Sequence, residues 1–334
     1  MILPPWLHPV WQRLNETRLR DRLPHALLFS GAAGTGKQMI AEQLAHALLC
    51  AAPDAAGQAC GKCSACSWLL AGTHPDLLVL QPEEAGKSIK IDDVRALCSS
   101  LVMTSHAGRY KVAIIHPAEA LNINAANSLL KTLEEPTERT VILLLSARPG
   151  RLPATVRSRC QQVPFPVPEQ SLACEWLKAE GVDPGVALRC LQLAGGGPLA
   201  ALDVARSDRE QRLSGALRQL QQVFEGTLDP LKVAAEWMTD QEQIGLSGWQ
   251  NWLEEAIRWK IAGSPRIDSP DSAQLQQIVE TVDCRLLFSL ADRVANALNS
   301  LGSGLNRQLI LEDLLISWAG QAKRDSMRRI AKSR

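Results

Sequence analysis

The stretch LLFSGAAGTGKQ, Leu27–Gln38, decides the fold of the first part of the chain. It joins a short apolar run to a segment whose apolar residues recur at helical spacing, so it predicts strand, loop and helix. Its G-x-x-x-x-G-K pattern predicts a phosphate-binding loop, in which backbone N–H groups and a lysine converge on phosphate oxygens. The candidate nucleotide-binding residues are Gly31, Gly34, Gly36 and Lys37. The alternative is a glycine-rich turn that binds nothing.

The residues that should hold magnesium are missing around this loop. The position after the lysine is Gln38, where hydrolysing relatives of such loops carry a hydroxyl. The strand Lys111–Ile115 is followed by His116 instead of a carboxylate. Glu119 lies close by in sequence, and we expect it to be a solvated glutamate at a helix start. Two defects in one site predict that the chain does not hydrolyse ATP by itself.

Three further apolar runs predict strands, and helical segments separate them. These runs are Asp76–Leu80, Lys111–Ile115 and Thr140–Ser146. Strands that alternate with helices predict an α/β fold with a parallel sheet covered on both faces. The segment Pro164–Gln170 holds three prolines and predicts a linker.

The chain after the linker reads as helices only. An apolar stripe contains Leu213, Leu217, Leu220 and Phe224, and a second begins at Trp249. We expect a nucleotide-binding-like domain over residues 1–165, a small helical lid over 166–207 and a helical oligomerisation domain over 208–334, with a loop at 263–272.

Four of the nine cysteines lie close together, at positions 50, 60, 63 and 66. The spacing of Cys50, Cys60, Cys63 and Cys66 suits four thiolates around a tetrahedral Zn²⁺, and four sulfur ligands leave no open position for substrate. The sequence therefore predicts a structural zinc module over residues 50–66. The alternative is a redox pair with two additional thiols.

Composition limits the remaining function classes. The formal net charge of +1 gives no global positive field for nucleic-acid binding, which disfavours a third interpretation, a zinc-dependent nucleic-acid-binding protein. The N-terminus does not read as a secretory signal and no apolar run has membrane-spanning length, so we expect a cytoplasmic protein. Six of the last twelve residues, 323–334, are basic. This pattern predicts either a solvated terminus or a tail that contacts DNA.

Several stretches together resemble the clamp-loader subunits of bacterial DNA polymerase III, which belong to the AAA+ ATPases. They are the four-cysteine insert after the first helix and the stretches AGTHPDLLVL (Ala71–Leu80), NAANSLLKTLEEP (Asn124–Pro136), LPATVRSRC (Leu152–Cys160) and LNRQLILEDLLISWA (Leu305–Ala319). They cover most of the first 165 residues, whereas the helical remainder matches mainly through its last segment.

The resemblance implies a role for Arg159. In this family the arginine of the SRC motif reaches into the nucleotide site of the neighbouring subunit and stabilises the charge on the transferred phosphoryl group. Without the family, Arg159 would read as an exposed arginine in an ordinary ion pair. The nucleotide-sensing arginine of active members is replaced at about Leu199, while Ser146 keeps a hydroxyl. Together with Gln38 and His116, this fits the non-hydrolysing members.

The resemblance also implies partners and a place of action. The partners would be the gamma or tau ATPase subunits, the delta subunit, the sliding clamp and, through the assembled complex, primed DNA at replication forks of the nucleoid. ATP would be bound by the neighbouring subunit and structural Zn²⁺ by this chain. The intact loop at residues 31–37 leaves open that this chain also holds idle nucleotide. The chain would then be an accessory subunit of a polymerase holoenzyme. The alternative is an active P-loop ATPase subunit with unorthodox magnesium ligands such as Glu119.

Overall fold

The computed structural model describes residues 3–84, 87–106, 109–207, 209–240, 242–263, 272–300 and 306–332. Contacts divide the chain into two compact units. The first extends to Gly181 and takes in Ala194–Ala201, and the second comprises Val182–Leu193 and the described residues from Leu202 onward.

The first unit is built on a five-stranded parallel sheet in the order β2-β3-β4-β1-β5. The strands are β1 (Ala26–Ser30), β2 (Leu77–Leu80), β3 (Lys111–Ile115), β4 (Thr140–Ser146) and β5 (Gln161–Pro164). The first four match the predicted strands. The fifth was not predicted, because its sequence is polar and enters the proline-rich segment, but an edge strand tolerates such residues.

Alternation along the central strands separates the apolar core of this unit into two layers. In β1, Leu27 and Phe29 face one layer, whereas Ala26 and Leu28 face the other. Helices α1 (His8–Leu19) and α2 (Lys37–Leu49) contribute to the first layer, and α4 (Ile91–Val102), α5 (Ile123–Glu134) and α6 (Ala154–Arg157) to the second. The predicted α/β fold class, a parallel sheet covered by helices, is confirmed.

Shorter elements complete the first unit. Helix α3 (Ser64–Leu70) follows the cysteines, and a 3₁₀ turn, Pro5–Leu7, precedes α1. Helix α7 (Gln170–Ala179) contacts this turn, since the rings of Trp6 and Trp176 meet edge to face at 5.2 Å. The segment that follows the predicted linker therefore packs within the first unit as far as α7.

The second unit is helical. Its helices are α8 (Pro184–Leu193), the last part of α9 (Pro198–Arg206), α10 (Arg209–Glu225), α11 (Pro230–Asp240), α12 (Glu242–Ala262), α13 (Ser272–Thr281), α14 (Cys284–Ser300) and α15 (Arg307–Lys332). Its core contains both predicted apolar stripes. Trp237, Trp249 and Trp318 are fully buried, and the Nε1 of Trp318 donates to the Leu220 carbonyl at 2.8 Å. Tryptophans thus serve as core residues here.

Among the described residues, only two short helices taken together as a bent pair, α8 and α9, pass a length and hydropathy test for membrane spans. Most of the predicted loop at 263–272 and the side chains of the basic terminus at 323–334 lie outside the described residues.

Candidate functional site

The predicted phosphate loop lies between β1 and α2, at the carboxyl end of the sheet. The N–H of Gly31 donates to the Ser146 carbonyl of the neighbouring strand β4 at 3.3 Å. Gly34 and Gly36 have φ angles of 70° and 99°, in the left-handed region that favours glycine. The loop residues therefore adopt a compact turn that leads directly into α2, which begins at Lys37.

The loop lysine is bound to the loop itself. The Nζ of Lys37 donates to the carbonyl oxygens of Gly31 and Ala32 at 2.7 and 2.6 Å. Lys37 is only 5% exposed, and this burial lowers its pKa to about 8, although nearby Glu119 opposes the shift. A phosphate group would have to displace the ammonium from these two carbonyl oxygens.

Protein segments cover the loop on two sides. On one side, the N–H of Leu199 donates to the Gly34 carbonyl at 3.0 Å, and a Cβ on Gly34 would lie 2.4 Å from the Ala200 nitrogen. On the other, the indole N–H of Trp6 donates to the Thr35 carbonyl at 3.0 Å. Leu199, which the resemblance places at about the position of the sensor arginine, thus contacts the loop through its backbone.

The residues around the predicted magnesium position do not form an ordinary magnesium site. The Gln38 amide nitrogen donates to Glu42 at 2.9 Å, along the exposed face of α2. His116 follows β3 as predicted, and its Nδ1 is buried without a hydrogen-bond partner among the described residues. Burial lowers the pKa of His116, and nearby Lys37 acts in the same direction. A neutral imidazole lies where a carboxylate is needed.

The prediction that Glu119 is solvated was wrong. A 3₁₀ turn, Ala118–Ala120, folds this side chain back toward the end of β4, where it is only 6% exposed. Its Oε1 accepts the N–H of Ala147 at 3.1 Å, and Arg148 lies 4.0 Å away. Its Oε2 is buried without a partner in the part of the chain that the structure describes. Sequence offered no signal for this, because the turn depends on contacts with β4.

The four predicted metal-ligating cysteines come together. Their sulfur atoms all lie within 4.8 Å of one another, with Sγ–Sγ distances of 3.6 Å for Cys50 and Cys66 and 3.9 Å for Cys60 and Cys66. A tetrahedron with Zn–S bonds of about 2.3 Å has S–S edges of about 3.8 Å. These separations are far longer than a disulfide bond of about 2.05 Å. The arrangement therefore fits a four-sulfur metal site better than the alternative redox pair.

The local electrostatics around these sulfurs also favour a bound cation. Backbone N–H groups of Ala51 and Cys66 lower the pKa of the Cys63 thiol to about 6, which favours a thiolate. Burial raises the pKa of Cys66 to about 12. A divalent cation would offset that cost, since it is the thiolate that binds metals.

Helix α1 holds the loop between Cys50 and Cys60, a contact that the sequence did not reveal. One face of α1 donates to three consecutive carbonyls of this loop. Trp11 Nε1 donates to Ala56 at 2.9 Å, Asn15 Nδ2 to Ala55 at 2.8 Å and Arg18 to Asp54 at 3.4 Å. The preceding turn carries Trp6, so α1 and this turn connect the cysteine cluster with the cover of the phosphate loop.

Arg159 lies between α6 and β5, apart from these contacts. Its Nε donates to Glu134 Oε1 at 2.7 Å, its Nη2 also contacts that oxygen, and its Nη1 donates to the Thr155 carbonyl at 2.9 Å. The side chain is 35% exposed. The ion pair expected without the family is therefore present, and Arg159 remains accessible to an external group. Sequence reasoning assigned no role to Glu134.

Comparisons with known proteins agree over most of the chain. The sequence family described as DNA polymerase III, delta subunit matches residues 6–169, and the family described as its C-terminal part matches residues 207–320. The chain is 38% identical to DNA polymerase III subunit delta′ of Pseudomonas aeruginosa, over 94% of this chain and 97% of that protein. It is 31% identical to subunit delta′ of Escherichia coli, over 93% and 94%.

A solved structure is also similar to this chain. It is a DNA polymerase III gamma subunit-related protein from Thermotoga maritima, with a TM-score of 0.48 and 20% identity. The match covers 93% of this chain and 99% of that chain.

Proposed function

The chain belongs to the family of DNA polymerase III delta′ subunits, and from this premise we propose that it is a non-hydrolysing clamp-loader subunit that acts on a neighbour's nucleotide. It would sit beside an ATPase subunit of the gamma or tau type, together with a delta subunit. Within that assembly it would help to load the sliding clamp onto primed DNA during replication, in the cytoplasm.

The observation that carries the proposal is the state of Lys37. Its ammonium bonds to two carbonyls of its own loop, and it is buried. Leu199 and Trp6 bond to the same loop from two sides. Since the magnesium position offers Gln38 and His116, this loop supports packing within the first unit rather than hydrolysis.

Arg159 is the residue that would act, in trans, on the neighbour's ATP. A guanidinium beside the transferred phosphoryl group stabilises the charge that develops there, an effect of about 10³ to 10⁵ in rate. Its partial exposure and its position ahead of the edge strand β5 support this role. Arg159 would supply its positive charge to the nucleotide of the neighbouring subunit and would not contact nucleotide in the phosphate loop of its own chain.

The four cysteines would hold Zn²⁺ in a structural role. Four sulfur ligands leave no open coordination position, so the metal would supply rigidity to residues 50–66 and no reactive site. Because α1 is bonded to the loop between Cys50 and Cys60, this rigidity would extend to the turn that covers the phosphate loop.

Two assays test the proposal. The isolated chain with Mg²⁺ should hydrolyse ATP no faster than its Lys37→Ala variant, which reports contaminating activity. Its addition to the ATPase and delta subunits should be required for loading of the clamp onto primed DNA. Turnover by the isolated chain that disappears with Lys37→Ala would overturn the non-hydrolysing role, and loading that needs no such chain would overturn the assembly role.

One observation favours a second candidate, an ATPase with unorthodox magnesium ligands. Glu119 Oε2 is buried without a partner among the described residues, and Lys37 is near enough to influence it electrostatically. If this oxygen bound magnesium, Glu119→Gln would abolish hydrolysis by the isolated chain. The same variant should have no effect if the chain does not hydrolyse ATP.

A further inference from the structure

The contact between Arg159 and Glu134 has a geometry that suggests more than a surface ion pair. Two nitrogens of the guanidinium, Nε and Nη2, meet the same carboxylate oxygen of Glu134. The third nitrogen, Nη1, meets the carbonyl of Thr155. The arginine is therefore held along one edge by a side chain and at one corner by the backbone.

The Arg159 guanidinium keeps two N–H groups for an external partner. A guanidinium carries five N–H groups. Three are used by Glu134 and Thr155, which leaves one on Nη1 and one on Nη2 without a partner among the described residues. Two N–H groups on the terminal nitrogens form the fork that binds two oxygens of a phosphate. The contact thus leaves one N–H group on each terminal nitrogen for an external anion while it fixes the rest of the side chain.

The backbone that carries Glu134 is well anchored. It is the last residue of α5, and the preceding residue, Leu133, is 2% exposed. The Leu133 carbonyl is bonded to the His25 ring at 2.9 Å, which ties the end of α5 to the residue before β1. Because the backbone at the end of α5 is fixed, the carboxylate of Glu134 starts from a fixed position and can limit the rotamers of the arginine that it contacts.

Helix stability does not account for a glutamate at this position. A negative charge at the C-terminal end of a helix is unfavourable, because the helix dipole is negative there. Exposed ion pairs contribute little to stability, and half of the Glu134 side chain is exposed. Its contact with Arg159 is the feature that distinguishes it from Glu135, whose side chain has no hydrogen bond or ion pair in the described structure.

We infer that Glu134 is a positioning residue for Arg159, which it holds so that the two remaining N–H groups can bind a phosphate of the neighbouring subunit. This inference rests on the proposed function of Arg159. Glu134 touches neither nucleotide nor the reacting atoms, and its effect passes through the arginine.

The test uses the assembled clamp-loader complex and measures kcat and KM for ATP hydrolysis with DNA and clamp present. Glu134→Ala should lower kcat by about 10-fold to 10²-fold, the range expected when a positioned group is misplaced. KM should change little, because Glu134 does not touch the nucleotide. Glu134→Gln keeps an accepting oxygen without the charge and should restore part of the loss. Glu135→Ala is the matched control and should leave kcat unchanged.

A double-variant cycle separates positioning from a general structural effect. Glu134→Ala should have no further effect in a chain that already carries Arg159→Ala. An equal loss in both backgrounds, or no loss in the wild-type background, would overturn the inference while leaving the proposed function intact. If Arg159→Ala alone left kcat unchanged, the proposed function would fail together with this inference.

Discussion

Lys37 in the phosphate loop and Arg159 between α6 and β5 both donate to backbone carbonyls, but they differ in how far they are exposed. Lys37 is 5% exposed, and its ammonium is bound to Gly31 and Ala32. Arg159 has a side chain that is 35% exposed, and it keeps two N–H groups without a partner in the described structure. A recognisable phosphate-binding sequence can therefore be part of a unit's own packing, while a cation elsewhere on the same unit stays accessible to an external anion.

This difference concerns how each charge is compensated. Burial makes the charged form of Lys37 costly, and the loop carbonyls and Glu119 offset part of that cost. Arg159 stays solvated on one side, so its remaining N–H groups can bind an incoming phosphate with little further desolvation.

The largest effect is expected from loss of the four-sulfur site. This site is linked through α1 to the turn that covers the phosphate loop. Cys66→Ser should lower the free energy of unfolding by more than about 4 kcal/mol, since loss of a structural metal is among the most disruptive changes. Thermal unfolding and metal content by native mass spectrometry would check this. Cys174→Ser, in α7 of the same unit, is the control and should keep both the metal and the stability.

The wild-type chain alone also tests whether the four cysteines bind a metal. A chain that is purified without zinc, and that melts at the same temperature before and after chelation, would show that the cysteines do not need a metal.

A smaller effect is expected from Gly34→Ala, which tests how tightly Leu199 and Ala200 cover the loop. The added Cβ would lie 2.4 Å from the Ala200 nitrogen, in addition to the strain of a φ near 70°. Gly72→Ala has nearly the same φ, 68°, with open space around its Cβ, so it measures the backbone strain alone. Gly34→Ala should cost about 1 to 3 kcal/mol more than Gly72→Ala. Equal losses in melting experiments would mean that the cover is loose.

The smallest effect is a pH dependence that arises from Lys37. Its pKa is about 8 in the folded chain against 10.5 ordinarily, so between these values the unfolded chain binds more protons. The free energy of unfolding should therefore rise with pH in this window. Below about pH 8 Lys37 is charged in both states, and the buried charge then destabilises the folded chain to its full extent. Relative to Lys37→Met, which is neutral throughout, the wild-type chain should gain about 1 to 2 kcal/mol between about pH 7.5 and about pH 9.5.

Urea unfolding of both chains at the two pH values would measure this gain. If the difference in the free energy of unfolding between wild type and Lys37→Met does not change with pH, burial does not destabilise the ammonium. That result would contradict the account of Lys37 given above.

The sequence predicted most of the first unit because its signals are local. Apolar runs located β1 to β4, and the spacing of Cys50, Cys60, Cys63 and Cys66 predicted a cluster that the structure brings together. What sequence could not predict depends on contacts between distant segments. The carbonyl contacts of α1 join residues about 40 positions apart, and Arg159 meets Glu134 across 25 positions.

Glu119 illustrates the same limit at short range. A glutamate near a helix start is usually solvated, and only the approach of β4 makes this one buried. The edge strand β5 was missed for a related reason, since its pairing with β1 overrides a polar sequence that ends in proline. Local propensity is a weak guide wherever pairing or packing with a distant segment decides the conformation.

The most direct test of the central claim compares Arg159→Ala with Lys37→Ala in the assembled clamp-loader complex, by steady-state ATP hydrolysis with DNA and clamp. If this chain acts through its surface arginine, Arg159→Ala should lower turnover at the neighbouring site by about 10³-fold or more, and Lys37→Ala should leave it unchanged. The reverse result, with turnover lost on Lys37→Ala and retained on Arg159→Ala, would contradict the account.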